Sequence, residues 1–337
     1  MKNLFRPSFS FSTIPIINLK HFNPTTNRAH SLELSKQILS ASNEYGAFYI
    51  SDPKINILSM QKSMIDFFHS DQNSKNSIKI TTKGKNRGYI GIGEESGSDL
   101  IEVKEAFSYG YEWQEGESIL KNPLTEKNIW PGKPSDFRTN MVNFYSEMCE
   151  LSKDLTSAFS LALGFDEKYL PSFCNDGDKI SLMRLFHYFP YNKISGANQN
   201  KIGSSPHTDW GFLTLIIQQE DVSGLQIWHE EQWKDVPSLK NTVVVNCGDY
   251  LSLISDGKLK SPLHRVISDG RERYSSVLFY YPNFDAKIPK IKNKTDLSLF
   301  KNQVEGGKGG QIDLEKISFG EYIGEKWVQV SRTGKTY

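Results

Sequence analysis

Cysteine is scarce. Cys149, Cys174 and Cys247 are the whole complement, and an odd number of widely separated thiols without a CxxC pair excludes a disulfide scaffold and a zinc ribbon. Scattered thiols of this kind are expected to be buried and reduced, which points to a cytoplasmic setting. An excess of charge of one sign is also missing. Lys and Arg number 40 against 39 Asp and Glu, a net charge of +1. No whole-chain field therefore favours nucleic acid or an anionic membrane. No apolar run approaches the roughly 20 residues of a membrane span. The opening MKNLFRPSFSFST lacks the apolar segment of a secretory signal. It is Ser-rich and free of acid, as organelle presequences are, but Pro7 and Pro15 interrupt any amphipathic helix there. Phosphate-binding loops are absent too. The glycines between residues 84 and 98 neither end in GK[ST] nor open a helix after a strand, and in 306–310 Lys308 is followed by Gly309. Both stretches read as flexible loops.

Apolar and aromatic material is plentiful. Hydrophobic residues make up 37% of 337, including 15 Tyr and 20 Phe, enough for a sizeable core. Residues 14–19 and 47–50 read as strands. Residues 31–44 read as a helix with Ser31 as its N-cap and Leu34, Ile38 and Ala41 on one face. Residues 57–68 form a second amphipathic pattern, 71–77 is polar and turn-rich, 105–111 alternates like a strand, and 136–163 is a long helix ended by Gly164. From residue 180 the pattern changes to short apolar runs about every ten residues, at 182–189, 213–217, 225–228, 233–236, 243–246, 251–253 and 277–281. Such spacing indicates a β sandwich or barrel. A short helix is expected at 297–302. The expected organisation is an N-terminal mixed region (1–175), a β core (176–290) and a C-terminal segment (291–337) packed on the core.

The chemistry concentrates in PHTDWGFLTL, residues 206–215. His207 and Asp209 stand two apart at the start of an apparent strand, where alternate side chains share a face. His264, in SPLHRV, is a third candidate ligand. Two imidazoles and one carboxylate on one side of a metal, with the other side open, suit non-haem Fe(II) that activates oxygen. Taken alone, the pair is equally consistent with unrelated surface histidines and a turn aspartate. Arg273 and Ser275 tilt the reading. They are again two apart on an expected strand, and a guanidinium fork with a hydroxyl beside it fits a carboxylate. A dicarboxylate co-substrate would then chelate the metal at one end and meet Arg273 and Ser275 at the other. Of the seven histidines, His21, His30 and His69 read as structural or solvated and His229 as an exposed residue of the WHEEQW turn.

These segments resemble the isopenicillin-N-synthase-like family of Fe(II)/2-oxoglutarate-dependent oxygenases. The likeness extends over nearly the whole chain, through IPIINL, FF at 67–68, KEAFSYG, HTDWGFLTLIIQQEDVSGLQIW, VVNCGDYLSLISDGKLKSPLHRV and RYSSVLFYYPN. It implies a mainly β fold, a double-stranded β-helix (jelly roll) core with flanking helices and a mixed α/β N-terminal portion. It also implies a dioxygenase using Fe(II), 2-oxoglutarate and O2, with ascorbate as a candidate reductant. His207, Asp209 and His264 would be the metal ligands and Arg273 and Ser275 the co-substrate anchor. Succinate and CO2 would be released as a small organic molecule is oxidised, most simply by hydroxylation.

Two readings stay open beside it: an Fe(II) oxidase on the same scaffold that uses no 2-oxoglutarate, and a non-catalytic small-molecule binder. An intact ligand set argues against the second. Where many members carry Asn-Tyr-Tyr-Pro, this chain has His187-Tyr188-Phe189-Pro190. The resemblance therefore implies that Phe189 lacks a hydroxyl that helps hold the co-substrate, and that His187 replaces an amide near the metal-facing wall. Phe107, Tyr109, Tyr111 and residues 186–191 are candidates for a substrate wall, together with the 84–97 loop and the C-terminal segment, with the alternative that these rings are simply core.

Overall fold

The computed structural model describes residues 14–81, 85–94, 100–134, 136–191, 201–268, 270–287 and 317–332. The expected helix at 297–302 and the 306–310 loop lie outside these residues. The chain begins with β1 (Ile16–Ile17), α1 (Arg28–Glu44) and β2 (Ala47–Ser51). It continues through α2 (Ile57–Phe68), α3 (Gln72–Asn76), β3 (Gly88–Ile90), β4 (Ile101–Glu102) and β5 (Lys104–Gly110) to α4 (Phe137–Ala162) and α5 (Gly177–Ile180). Strands then dominate: β6 (Leu182–Tyr188), β7 (Lys201–Ile202), β8 (Ser204–His207), β9 (Leu213–Gln218), β10 (Leu225–His229), β11 (Gln232–Asp235) and β12 (Thr242–Cys247). After α6 (Asp249–Ile254) come β13 (His264–Val266), β14 (Arg273–Tyr280) and finally α7 (Phe319–Arg332).

The strands form the two sheets of a jelly roll. The large sheet runs β1-β2-β12-β9-β14-β6-β5-β3 and the small one β11-β10-β13-β8, with β4 and β7 paired separately. The large sheet thus takes strands from both sides of residue 175. Its two faces have different neighbours. On the inner face the small sheet comes close: a Cβ on Gly203 would lie 3.3 Å from the Tyr188 ring, and one on Gly224 3.3 Å from the Arg273 side chain. On the outer face lie the helices. Phe107 of β5 meets Phe67 of α2 at 5.0 Å and Phe137 of α4 at 5.4 Å, and Phe48 of β2 meets Phe159 of α4 at 6.1 Å. Leu34, Ile38 and Ala41 bury the stripe of α1, as their spacing requires.

Several local expectations change. Helix α1 starts earlier than Ser31, after Asn27, and the buried Ser31 hydroxyl instead accepts the Asn23 N–H at 3.0 Å. The polar 71–77 stretch contains α3, because the Asp71 carboxylate accepts the Ser74 N–H at 2.9 Å and caps it. Residues 251–253 belong to α6, not a strand. A short apolar run carries no period of its own, and here all six residues of the helix are buried. The WHEEQW turn is a two-residue hairpin with Glu230 and Glu231 in the left-handed region (φ 49° and 59°). His229 is half-buried rather than exposed, with its ring 4.6 Å from that of Tyr45. Cys149, Cys174 and Cys247 are buried free thiols, as expected.

Gly248, before α6, sits against the chain that follows β8. Its N–H donates to Phe212 O at 2.9 Å, and a Cβ there would lie 2.0 Å from Gly211 O. Gly248→Ala is expected to lower the unfolding free energy by roughly 1–3 kcal/mol through this backbone clash, read as a reduced urea midpoint at unchanged m-value.

Candidate metal centre

Strands β8 and β13 pair antiparallel with His264 directly opposite His207. Directly opposed residues share a face, so the imidazoles converge, with ring centroids 4.2 Å apart. Each ring is oriented by its own chain. His207 Nδ1 donates to Ser205 O at 2.7 Å and His264 Nδ1 to Pro262 O at 3.0 Å. In the neutral rings this places each lone pair on Nε2.

Asp209 arrives differently from the sequence expectation. Strand β8 ends at His207, and β9 begins only at Leu213. Asp209 lies in the turn between them, and it is the turn, not strand alternation, that brings it beneath the imidazoles. The turn is held by α6: Asp249 N–H donates to Asp209 O at 2.7 Å, and the Thr208 hydroxyl donates to Asp249 Oδ2 at 3.1 Å. Asp209 Oδ1 lies 3.8 Å from His207 Nε2, and Oδ2 lies 3.7 Å from His264 Nε2.

One ligand atom from each residue falls within 4.8 Å of the others, and no other such group of His, Cys, Asp and Glu occurs among the described residues. Asp209 is 4% exposed, and its Oδ2 has no hydrogen-bond partner. A carboxylate removed from water demands a compensating cation. Two neutral nitrogens and one such oxygen fit a divalent transition metal. The protein packed around the His207 ring pushes its pKa down, and His264 beside it adds to the shift, which favours the neutral ring. The His207 side chain is 42% exposed.

A second group lines the inner face of the large sheet. Arg273 is opposite Tyr188, and Ser275 is opposite both Phe186 and Gln218. Arg273 is 3% exposed; its Nη2 donates to Gln218 Oε1 at 3.0 Å and its Nη1 to Ser275 Oγ at 3.4 Å. Gln218 is itself fixed by donating to Val236 O at 3.1 Å. The guanidinium stands 4.9 Å from the Tyr188 ring centre. Gln218 and Tyr188 could not be assigned from sequence, because only the strand register places them.

This register corrects the reading of residues 187–190. Tyr188, with its hydroxyl, shares the inner face with Arg273. His187 points to the opposite face, where its Nδ1 meets Glu105 Oε1 at 2.8 Å. It is neither a metal ligand nor part of the metal-facing wall. Phe107 and Tyr109 likewise face the helices and are fully buried core residues. Their inner-face neighbours on β5 are Lys104, Ala106 and Ser108, and Arg184 of β6 donates its Nε–H to Ser108 Oγ at 3.1 Å. That wall is more polar than the aromatic one expected.

Lys104 and Glu102 tie the wall to β8. Lys104 Nζ donates to Glu102 Oε2 at 2.6 Å, and Glu102 Oε1 accepts the Ser205 N–H at 2.9 Å. Burial alone would raise the Glu102 carboxyl, but the Lys104 ammonium and these hydrogen bonds hold it at about 2. A folded-state pKa below the unfolded value adds stability above pH ~4.5 that disappears as pH falls towards 2. The acid-side loss of stability over that window should be smaller by about 3 kcal/mol in Glu102→Gln, each protein referred to its own value at pH 7, as measured by urea titrations.

Comparison with known proteins agrees with this geometry. Residues 179–282 match the family model of the 2OG-Fe(II) oxygenase superfamily, and residues 14–133 match that of the non-haem dioxygenase N-terminal region named from morphine synthesis. A Glycine max protein named homoarginine-6-hydroxylase is 30% identical over 93% of this chain and 96% of its own length. The 2-oxoglutarate-dependent dioxygenase traH of Penicillium crustosum is 28% identical over 84% of this chain and 88% of its own. Among solved structures, a full-length Neurospora crassa protein in complex with α-KG superimposes with a TM-score of 0.75 at 26% identity, covering 94% of this chain and 96% of that one. The chain belongs to the 2OG-Fe(II) oxygenases, non-haem enzymes that use Fe(II), O2 and 2-oxoglutarate to oxidise small molecules.

Proposed function

We propose that His207, Asp209 and His264 hold the Fe(II), that Arg273 and Ser275 hold the distal carboxylate of 2-oxoglutarate, and that this enzyme hydroxylates a small, polar, nitrogen- or oxygen-rich molecule. The observation that carries the metal assignment is the buried Asp209 carboxylate, with Oδ1 facing His207 Nε2 and the unpartnered Oδ2 facing His264 Nε2. When bound, the metal and co-substrate supply O2-driven oxidation of a C–H bond, with 2-oxoglutarate leaving as succinate and CO2.

The chain's own residues prepare that chemistry. Ser205 O and Pro262 O hold the two Nδ1–H groups, so each imidazole acts through Nε2 without having to release a proton. Gln218 turns the Arg273 fork, and Ser275 stands beside it as a further hydroxyl donor. Tyr188 covers the guanidinium with its ring and keeps water from it.

The substrate class rests on the wall and on relatives. Ser108 and Arg184 give the inner face polar character. The Neurospora crassa protein has been solved with thymine and with 5-formyluracil, and the Glycine max relative is named for homoarginine. These are small molecules rich in nitrogen and oxygen, which such a wall suits better than a hydrocarbon. Residues 176–290 are assigned as the oxygenase core, with 1–175 and 291–337 flanking it. The buried free thiols fit a reducing, cytoplasmic setting, and the net charge of +1 gives no reason to expect nucleic acid as a partner. No described helix is long and apolar enough to cross a membrane.

Asp209→Ala removes the anionic member of the set. Equilibrium dialysis should show loss of Fe(II) retention, together with loss of succinate formation from 2-oxoglutarate; undiminished iron retention would refute the ligand assignment. Arg273→Ala should weaken 2-oxoglutarate binding by on the order of 2–4 kcal/mol. The readout is titration of the metal-to-ligand charge-transfer band in the anaerobic Fe(II) protein. An unchanged midpoint would take Arg273 out of the co-substrate site.

A further inference from the structure

Helix α7 contributes none of the three candidate ligands, yet it packs against the segments that carry them. It opens with a reciprocal cap: Glu321 N–H donates to Ser318 Oγ at 3.3 Å, and Ser318 N–H donates to Glu321 Oε2 at 2.7 Å. Its buried side chains include Phe319, Tyr322, Ile323 and Lys326. Phe319 meets the Tyr250 ring of α6 at 5.1 Å, and Tyr322 meets the same ring at 6.0 Å. The Tyr250 hydroxyl and the Phe319 N–H both donate to Ala286 O, at 2.7 and 2.8 Å. One carbonyl thus pins α6 and α7 together.

Two routes lead from α7 to the turn that carries Asp209. The first is apolar. Phe319 packs on Tyr281 at 5.2 Å, and a Cβ on Gly211 would lie only 2.7 Å from the Tyr281 ring. Gly211 belongs to the same turn as Asp209, between β8 and β9.

The second route is polar, and Asp249 is its centre. The residue is 3% exposed, and its Oδ1 has no hydrogen-bond partner. Its Oδ2 accepts from Thr208, which stands between His207 and Asp209, and its N–H holds Asp209 O. Ser261 lies near the carboxylate and favours its charge, and the adjoining Pro262 O accepts from His264 Nδ1. Asp249 therefore adjoins the segments of all three ligands. A buried carboxylate needs compensation, and α7 brings it. Burial lowers the Lys326 ammonium, and the Asp249 carboxylate draws it back up. Burial, and after it the same carboxylate, push the Tyr322 phenol up, so its O–H stays a donor.

We propose that Tyr322 and Lys326 of α7 are positioning residues of the iron centre, which fix the Asp249 carboxylate and, through it, the chain segments of all three ligands. This rests on the assignment of His207, Asp209 and His264 to Fe(II). The β8–β13 pairing sets the two imidazoles against each other, but Asp209 sits in a turn outside that pairing. Its place depends on what packs beneath it, and that is Asp249 and Tyr281. Release of α7 would take the countercharge from Asp249 and the Phe319 ring from behind Tyr281. The turn could then shift, and the donor atoms would lose their fixed separations. Metal binding and α7 docking accordingly favour each other, as linkage requires.

The test measures Fe(II) affinity of the full-length protein by anaerobic equilibrium dialysis, with urea unfolding of the metal-free protein alongside. Tyr322→Phe deletes one hydroxyl and Lys326→Met one charge. Each should weaken Fe(II) binding by about tenfold, as loss of a ligand's outer partner does. Phe48→Leu, which loosens the core under α4, should lower the urea midpoint and leave Fe(II) affinity unchanged. In the wild type, saturating Fe(II) should slow amide hydrogen exchange within residues 319–326 by a comparable factor. That measurement decides alone should a variant fail to fold. With Asp209→Ala releasing the metal, unchanged affinity in either α7 variant, an equal loss in Phe48→Leu, or α7 exchange indifferent to Fe(II) would each overturn the proposal. Retention of Fe(II) by Asp209→Ala would overturn the ligand assignment and the proposal with it.

Discussion

A carboxylate oxygen kept from water without a hydrogen bond is the constraint around which this molecule is arranged. Asp209 Oδ2 is in that position, 3.7 Å from the nearer imidazole nitrogen. Isolated burial of such a charge costs several kcal/mol even after relaxation, so the surrounding structure has to hold it there. The β8–β13 pairing aligns the imidazoles, and α6 grips the turn that carries the aspartate through Asp249. The glycine that begins α6 leaves no room for a side chain against Gly211. These are backbone devices, and they hold the three side chains in place.

The large sheet separates two kinds of polar chemistry. Its inner face has Arg273 turned by Gln218 and covered by Tyr188. Its outer face has the Lys75–Glu105–His187–Tyr89 network under the helices. Both are buried, and both are satisfied almost completely within the fold. Buried polar groups that are paired in this way restrict the arrangements a core can adopt. Their strands are shared, so one-residue alternation in β6 and β14 decides which chemistry each side chain joins.

Much of the fold was legible in advance because its signals were periodic. The stripes of α1, α2 and α4 and the run of short strands after residue 180 follow from spacing and turn residues. The errors fall where periodicity is silent. Residues 251–253 were too few to tell strand from helix. Ser31 looked like a cap but is buried inside α1, three positions beyond the chain's actual entry. Phe107 and Tyr109 fit a substrate wall or the core equally well in sequence, because a spacing of two does not say which side of the sheet they take.

By itself the sequence determined the chemical alphabet: two histidines, an aspartate, an arginine and a serine at spacings that single out one oxygenase family. Those choices are local, and residue type with separation is enough to express them. The tertiary structure alone decided orientation. It moved Asp209 from a strand into a turn, placed Tyr188 rather than Phe189 beside Arg273, supplied Gln218 to direct the guanidinium, and turned His187 away from the metal centre. The physical reason is that a strand's alternation is known before its register is. Which face looks inward depends on partners distant in the chain, and only their pairing settles it.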